Sequence, residues 1–350
     1  MINSQQIVAY GAPLASGSAA SPAPSGREAL VRVRNCGVCH SDVHLQDGHF
    51  NLGDGNNLDI SSGRALPFTL GHEVEGEVVA LGPDADGISV GDRALVYPWI
   101  GCDDCPICAR GDGHMCNAPR AVGVNVNGGY ADHCLVPDAK YLVPYGDLDP
   151  SLAATYACSG ITAYGALDKV GPLGDDERVL IIGMGGVGMM GLAFAQALFD
   201  APPLVADIDA SKREAALKAG AAEAFDSVDR ASAKAIRKMT NGGVAAVVDF
   251  VGSDSSFAFA DAAVGRGGKI IIVGLIGGRM SLPVPMFPLR SLTITGSYVG
   301  SLAQFTDMMA LVRDGKVSPI PIQTRSLDRA EQTLNDLRDG RLIGRVVLQP

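Results

Sequence analysis

VLIIGMGGVGMMGLAFAQALF, from Val179 to Phe199, is the stretch whose reading decides the fold. It carries no charge and approaches membrane-spanning length. Five glycines between Gly183 and Gly191 punctuate it, however, into a strand over Val179–Ile182, a turn, and a helix over Gly188–Leu198. Gly183-x-Gly185-x-x-Gly188 directly follows the strand and opens the helix, and Asp207 lies 19 residues beyond the last glycine. A glycine triplet alone is weak evidence, but this strand-turn-helix context with an acid at that distance points to a dinucleotide site. Gly183 permits the tight turn, Gly185 lets backbone approach a pyrophosphate, and Gly188 allows the helix to pack closely on the strand. The helix N-terminus would stabilise the phosphate charge. Asp207 suits a ribose diol and repels a 2′-phosphate, which predicts NAD over NADP; the nearby Lys212 and Arg213 are the features that favour NADP.

Outward from this stretch, aliphatic runs alternate with Ala-rich charged segments. Strands are expected at Pro203–Ile208, Val244–Phe250 and Lys269–Val273, with helices at Lys212–Ala219 and Ser256–Val264. That alternation predicts βαβ units and a buried parallel sheet. The first 150 residues instead read as short β-type runs, such as Ala29–Asn35, Val74–Leu81 and Arg93–Tyr97, broken by Gly, Pro and Asp clusters. Gly11–Gly26, rich in Ala, Ser, Pro and Gly, reads as a solvent loop between two early strands. A helix at Leu302–Arg313 and a strand at Arg345–Leu348 close the chain. One domain interrupted by another is therefore expected, with segments 1–154, 155–298 and 299–350.

At 350 residues the chain is long enough for two domains and a core without disulfides. Its formal charge of -10 gives no electrostatic footprint for a nucleic-acid backbone or an anionic membrane. The N-terminus lacks a signal peptide's basic start and apolar core, so a soluble, cytoplasmic protein is expected. Eight cysteines, several of them clustered, point to metal ahead of disulfides.

Cys102-x2-Cys105-x2-Cys108-x7-Cys116 places four thiolates on one Gly/Pro/Asp loop, the pattern of a closed structural zinc site. Asp103, Asp104 and Asp112 within it disfavour phosphate contact and hence a nucleic-acid-binding zinc ribbon. A second constellation comprises Cys39-His40-Ser41-Asp42-Val43-His44, then His72-Glu73, then Cys158. Two cysteines and one histidine would leave a fourth zinc position open for substrate or water.

These motifs, in this order, resemble the zinc-containing alcohol dehydrogenases of the medium-chain dehydrogenase/reductase family. The similarity runs from Val31-Arg32-Val33 through GVCHSDVH, TLGHEVEGEV, the four-cysteine lobe, ACSGITAYGAL and GMGGVG to the closing GRLIGRVVL. It implies a Rossmann doubly wound parallel-sheet domain inserted in a mostly-β GroES-like catalytic domain, an α/β architecture. It implies two zinc ions per chain. Cys39, His72 and Cys158 would hold the catalytic one, with Glu73 nearby and Asp42 orienting His72. Cys102, Cys105, Cys108 and Cys116 would hold the structural one. Ser41 matches the hydroxyl that bonds the substrate oxygen, and His44 the outer base of the proton relay. Phe50 and Trp99 match pocket positions, and Arg345 resembles a residue that reaches cofactor phosphate. Gly186, Val187, Lys212 and Val273 complete the expected cofactor contacts.

The implied activity is reversible hydride transfer between NAD and an apolar alcohol or aldehyde, aromatic or bulky ones included. Phe50, Trp99, Leu275 and Ile276 are the residues that suggest such a pocket. A polyol or secondary-alcohol dehydrogenase and an NADP-linked aldehyde reductase are the alternatives. Relatives with so compact a lobe are frequently tetramers, so a homo-oligomer is expected, a tetramer ahead of a dimer. The chain departs from many relatives at Asn51–Arg64, an apparent insertion rich in Gly, Asn, Asp and Ser. It reads as a surface elaboration or as a lid on the substrate channel, in which case its deletion alters substrate preference.

Overall fold

The computed structural model describes residues 1–350, the side chain of Arg230 excepted. In chain order the strands are β1 (Ile2–Ile7), β2 (Ala15–Ala19), β3 (Ala29–Gly37), β4 (His49–Asn51), β5 (Asn57–Asp59), β6 (Phe68–Thr69), β7 (Glu73–Leu81), β8 (Arg93–Val96), β9 (His133–Val136) and β10 (Leu142–Val143). Between them lie the helices α1 (His40–Asp47) and α2 (Pro106–Ala109). After α3 (Pro150–Thr155) and α4 (Ile161–Asp168) the pattern changes to alternation: β11 (Val179–Ile182), α5 (Gly186–Leu198), β12 (Leu204–Asp207), α6 (Ala210–Lys218), β13 (Glu223–Asp226), α7 (Arg230–Met239), β14 (Val244–Asp249), α8 (Asp254–Ala263), β15 (Val264–Ile272), α9 (Met286–Arg290) and β16 (Thr293–Gly296). The chain ends with α10 (Leu302–Arg313), β17 (Ile322–Ser326), α11 (Ala330–Arg338) and β18 (Arg345–Gln349).

Six strands form one parallel sheet in the order β13-β12-β11-β14-β15-β16, the doubly wound arrangement expected of a Rossmann unit. All four residues of β11 are buried, because helices cover both sheet faces. Val179 and Ile181 pack into one apolar cluster, and Leu180 and Ile182 into the other. Chain order reverses between β11 and β14, so a crevice opens beyond the C-terminal ends of these strands.

The β-rich segment holds a second sheet, ordered β10-β8-β7-β3-β18-β17, with β9 also on β3. The last strand, β18, runs antiparallel to β3, pairing Val347 with Gly37 and Leu348 with Cys36. The end of the chain thus returns to the sheet its beginning started. The Rossmann unit is inserted between these parts of a mostly-β GroES-like body.

The expected solvent loop at Gly11–Gly26 is corrected in part. Ala15–Ala19 is strand β2, paired antiparallel with β1 from Ile2↔Ala19 to Gln6↔Ala15. An exposed edge strand buries little, so its sequence shows no apolar alternation. Its register rests on small residues: the Gln6 side chain lies over Gly17, and Gln5 Nε2 donates to Ser16 Oγ at 3.0 Å. The apolar run at Val179–Phe199 is strand, turn and helix, and no helix among the described residues is long and apolar enough to cross a membrane.

Candidate active site

Four cysteine sulfurs converge on the exposed lobe. The Sγ pairs Cys102–Cys108, Cys105–Cys108 and Cys105–Cys116 are 4.0, 3.6 and 3.8 Å apart. A tetrahedron with Zn–S bonds of about 2.3 Å has edges of about 3.8 Å, so the set fits zinc. Backbone amides turn inward: Cys102 N and Ala118 N donate to Cys116 Sγ at 3.4 and 3.3 Å, and Cys108 N to Cys105 Sγ at 3.5 Å. Those amides, Ala118 first, hold the Cys116 thiol down at about 7. Gly101 leaves the room required, since a Cβ there would lie 2.4 Å from Cys108 Sγ. Asp103 is held by Lys140 at 2.9 Å and Tyr141 at 2.9 Å, and so ties the lobe to the body.

The second cluster is fully buried. Donor atoms of Cys39, His72, Glu73 and Cys158 lie within 4.8 Å of one another. They arrive from three separate parts of the chain. Cys39 precedes α1, His72 lies just before β7 and Glu73 opens it, and Cys158 sits on a π-helical turn, Tyr156–Gly160, between α3 and α4. A π-turn re-aims one side chain within a helix and recurs at functional sites. Gly71 has φ of 95°, and a Cβ there would strike Tyr130 at 2.5 Å and Cys36 Sγ at 2.8 Å. That glycine lets the backbone deliver His72, and buried Cys36 packs beneath it as a core residue.

His72 Nδ1 meets Asp42 Oδ1 at 3.1 Å, while its Nε2 is buried without a partner. An orphaned imidazole nitrogen beside two thiols, which approach to 3.9 Å, fits a metal that completes it. Asp42 is itself fixed by Tyr130 Oη at 3.0 Å and Cys39 N at 2.9 Å. The two thiols share a proton, with Cys39 held low by the Cys158 thiol and by His72. Burial lifts Glu73 to about 7 against the pull of Arg345, whose guanidinium donates to Glu73 Oε2.

Ser41 and His44 are three residues apart on α1 and therefore neighbours on one helix face. His44 is half-buried under Phe50, their rings 4.8 Å apart, and burial lowers its pKa. His40, at the start of α1, has its pKa lowered by desolvation first and then by the charges of Arg345 and Lys212. The sequence reading left His40 without a role.

At the glycine turn itself, Gly183 has φ of 89°, and a Cβ on Gly188 would lie 1.7 Å from Gly183 O. Gly185 has open space around it, and α5 starts with no side-chain cap, whereas α6, α7, α8 and α10 are capped by Asp209, Asp229, Ser253 and Ser301. Uncapped amides at an open helix end suit a phosphate. Arg345 is buried against Gly186, where a Cβ would meet its Cδ at 2.4 Å. It therefore stands between Glu73 and the α5 turn, not on the surface. Asp207 accepts from Met184 N at 2.6 Å and Asp209 N at 2.9 Å at the end of β12. Arg213 is engaged by Asp207 O at 2.8 Å and Asp226 at 3.6 Å. Lys212 is half-buried on α6, and Val273, just past β15, donates to Asp249 O at 2.9 Å.

A cavity of about 240 Å³ adjoins the cluster, walled by Trp99, His114, Met115, Ala121, Asn125 and Tyr298 among others. Trp99 lies 5.5 Å from the His72 ring and 5.6 Å from Tyr298, and its Nε1 donates to Ala157 O at 3.1 Å. Phe50 is not in this wall but over His44. Leu275 and Ile276, expected at the pocket, are exposed on the loop after β15 and do not line it. Tyr298, His114 and Asn125 were not foreseen: they come from three remote segments, and no local pattern marks them. A larger cavity of about 470 Å³, between Tyr164 and Ala201, is lined by none of these residues.

Residues 25–147 match the alcohol dehydrogenase GroES-like domain, and residues 186–314 the zinc-binding dehydrogenase family. The chain is 34% identical to an NAD-dependent alcohol dehydrogenase of Sulfurisphaera tokodaii over 100% of both chains. It is 35% identical to another of that description from Saccharolobus solfataricus over 99% of each. The crystal structure of the alcohol dehydrogenase from Aeropyrum pernix superposes with a TM-score of 0.90 at 28% identity, covering 99% of this chain and 100% of that one.

Proposed function

The chain belongs to the zinc-type alcohol dehydrogenases of the medium-chain dehydrogenase/reductase family, and from that membership we propose how its own residues carry the reaction. It is an NAD-dependent alcohol dehydrogenase that interconverts an alcohol and its aldehyde or ketone. The observation that carries the assignment of roles is the unpartnered Nε2 of His72, buried between Cys39 and Cys158 and next to an aromatic cavity. Cys39, His72 and Cys158 would hold the catalytic zinc, and the four lobe cysteines a structural one. Bound zinc supplies a Lewis acid that polarises the substrate oxygen and lowers its pKa; bound NAD supplies the hydride acceptor.

Ser41 accepts the proton of the alcohol hydroxyl, and His44, kept neutral by burial, takes it outward to solvent. Asp42 holds the His72 ring so that Nε2 is the free nitrogen. Trp99 and Tyr298 exclude water from the carbon end of the substrate. Gly183, Gly185, Gly186, Val187 and Gly188 cradle the pyrophosphate, with Arg345, Lys212 and Val273 nearby. Asp207 meets the adenosine ribose. Arg213, one of the two cations that would suit a 2′-phosphate, is committed to Asp207 O and Asp226, which favours NAD over NADP.

The cavity at Trp99 favours an apolar or aromatic substrate over a polyol, since its wall offers two aromatic rings beside Met115, Pro119 and Ala121. We propose that the chain divides at 1–154, 155–298 and 299–350, that it acts in the cytoplasm, and that it assembles as a homo-oligomer, a tetramer ahead of a dimer. A rate screen with NAD and NADP over aliphatic, benzylic, cyclic and polyol alcohols, paired with metal analysis, tests the reading. Benzylic turnover with NAD and about two zinc per chain is expected. Preference for polyols, or zinc held by the lobe alone, would overturn it.

A further inference from the structure

The segment Asn51–Arg64, read from sequence as an insertion, does not lie loose on the surface. β4 and β5 pair from His49↔Asp59 to Asn51↔Asn57, so the segment is a hairpin with its tip at Leu52–Asn56. The tip crosses to the Rossmann unit and rests on the loop that follows β15. A Cβ on Gly277 would lie 2.2 Å from Asn51 O, and one on Gly53 would lie 3.0 Å from Gly278 Cα. Backbone meets backbone there with no room for side chains. Asp54 Oδ2 adds an ion pair to Arg279 Nε at 3.2 Å. That loop is itself braced: Ser253 bridges Gly277, and Asp254 accepts from Arg279 N.

The hairpin's other end is anchored as well. Ile60 N donates to Gly48 O at 2.9 Å, and Tyr10 Oη to Ser61 O at 2.8 Å. Arg64 donates to Ile60 O and, at 3.1 Å, to Val124 O, next to the cavity residue Asn125. The segment therefore runs from the wall of the substrate cavity, past Phe50 over His44, to the C-terminal edge of the parallel sheet.

We propose that this hairpin is a strap across the mouth of the crevice, and that its tip must lift from Gly277–Arg279 before the cofactor can exchange. The inference rests on the NAD reading above. A dinucleotide seated on the α5 turn, with its reactive ring toward the zinc cluster, has its exit bounded by His44 and Phe50 on one side and the post-β15 loop on the other. The strap joins those two sides. Because Asp54 and Arg279 are both exposed, their ion pair contributes little alone, and the glycine seat carries most of the closure.

The test is stopped-flow dissociation of NADH from the zinc-loaded protein, followed by nicotinamide fluorescence. Replacing Leu52–Asn56 by an Asn-Gly turn keeps the β4–β5 ladder and removes the tip. It should raise the NADH dissociation rate by about an order of magnitude. Asp54→Lys should raise it about two- to fivefold, and the swap Asp54→Lys/Arg279→Glu should restore the parent rate. The primary deuterium isotope effect on kcat should rise in the shortened protein as release ceases to limit turnover. An unchanged dissociation rate in both the shortened hairpin and Asp54→Lys overturns the strap while leaving the NAD assignment intact. A parent protein that binds no NADH overturns both.

Discussion

Three residues of the site, Asp42, His44 and Gly188, carry chemical consequences that can be measured one at a time. The His72 ring is held only through Nδ1, by an Asp42 carboxylate that is itself pinned by Tyr130 and Cys39 N. Asp42→Asn keeps the shape but removes the charge that fixes the tautomer. Zinc affinity at this site should fall about 10- to 100-fold, measured by competition with a chromogenic chelator, while the lobe site is unmoved. His44 works in the other direction. Burial disfavours its imidazolium, so the neutral, proton-accepting form persists to lower pH than for an ordinary histidine. The acid limb of kcat should lie below the usual imidazole range, near 6.5. In His44→Gln that limb should disappear, with kcat down roughly 100-fold; an unaltered pH profile would remove His44 from the relay. Gly188→Ala asks for space that is not there, since the new methyl would sit 1.7 Å from Gly183 O. Separating α5 from its turn should weaken NADH binding at least about tenfold while leaving both zinc sites filled, as equilibrium fluorescence titration and metal analysis would show.

At the scale of elements, the site is a junction. The turn after β3, the start of β7 and a π-turn behind α3 meet at one point, because Gly37 leaves room for the Glu73 side chain and Gly71 for Tyr130 and Cys36. The four central parallel strands were legible because buried strands are continuous aliphatic runs, and β11 ends where Gly183 says it must. The edge strands β13 and β16, EAFD and TITG, carry no such run and were not read. The two clusters that could hold a metal were legible because cysteine and histidine are rare and their spacing is local. The π-turn was not, since Tyr156–Gly160 has the composition of any helix. Strand β2 was missed because its partner β1, not its own residues, holds it. Tyr298 and Asn125 were invisible because a cavity wall assembled from remote segments leaves no pattern in any one of them. The lobe shows what such an assembly implies. Its residues His114, Met115 and Cys116 also line the cavity beside Trp99, so a metal held by the lobe would support specificity as well as stability. Cys108→Ser should cost one zinc per chain and lower Tm. It should also raise KM for bulky alcohols more than for ethanol, because the wall loosens; equal KM changes would reduce the lobe to a brace.

The whole molecule poses a problem of exposed apolar surface. With a net charge of -10 the chain is well solvated, yet six of its exposed large hydrophobic residues fall in one short region. Leu275, Ile276, Met280, Val284, Met286 and Leu289 all lie between β15 and β16, with Val284 78% and Leu289 62% exposed. They adjoin β16, which ends the parallel sheet and pairs only with β15 among the described residues. An unpaired sheet edge beside an apolar band is a surface that associates unless it is blunted, and no charged side chain from Thr293 to Gly296 blunts this one. A second copy related by a twofold axis would satisfy both features at once, since β16 can pair antiparallel with its own counterpart. Such pairing would also steady the post-β15 loop on which the hairpin tip rests. Sedimentation at micromolar concentration should therefore show dimers or tetramers of the 36.1 kDa chain. Val284→Asp combined with Leu289→Asp should shift that distribution to monomer while both zinc sites stay filled, because neither residue touches a metal cluster. If the parent chain sediments as a monomer, the apolar band needs another partner and the assembly reading fails.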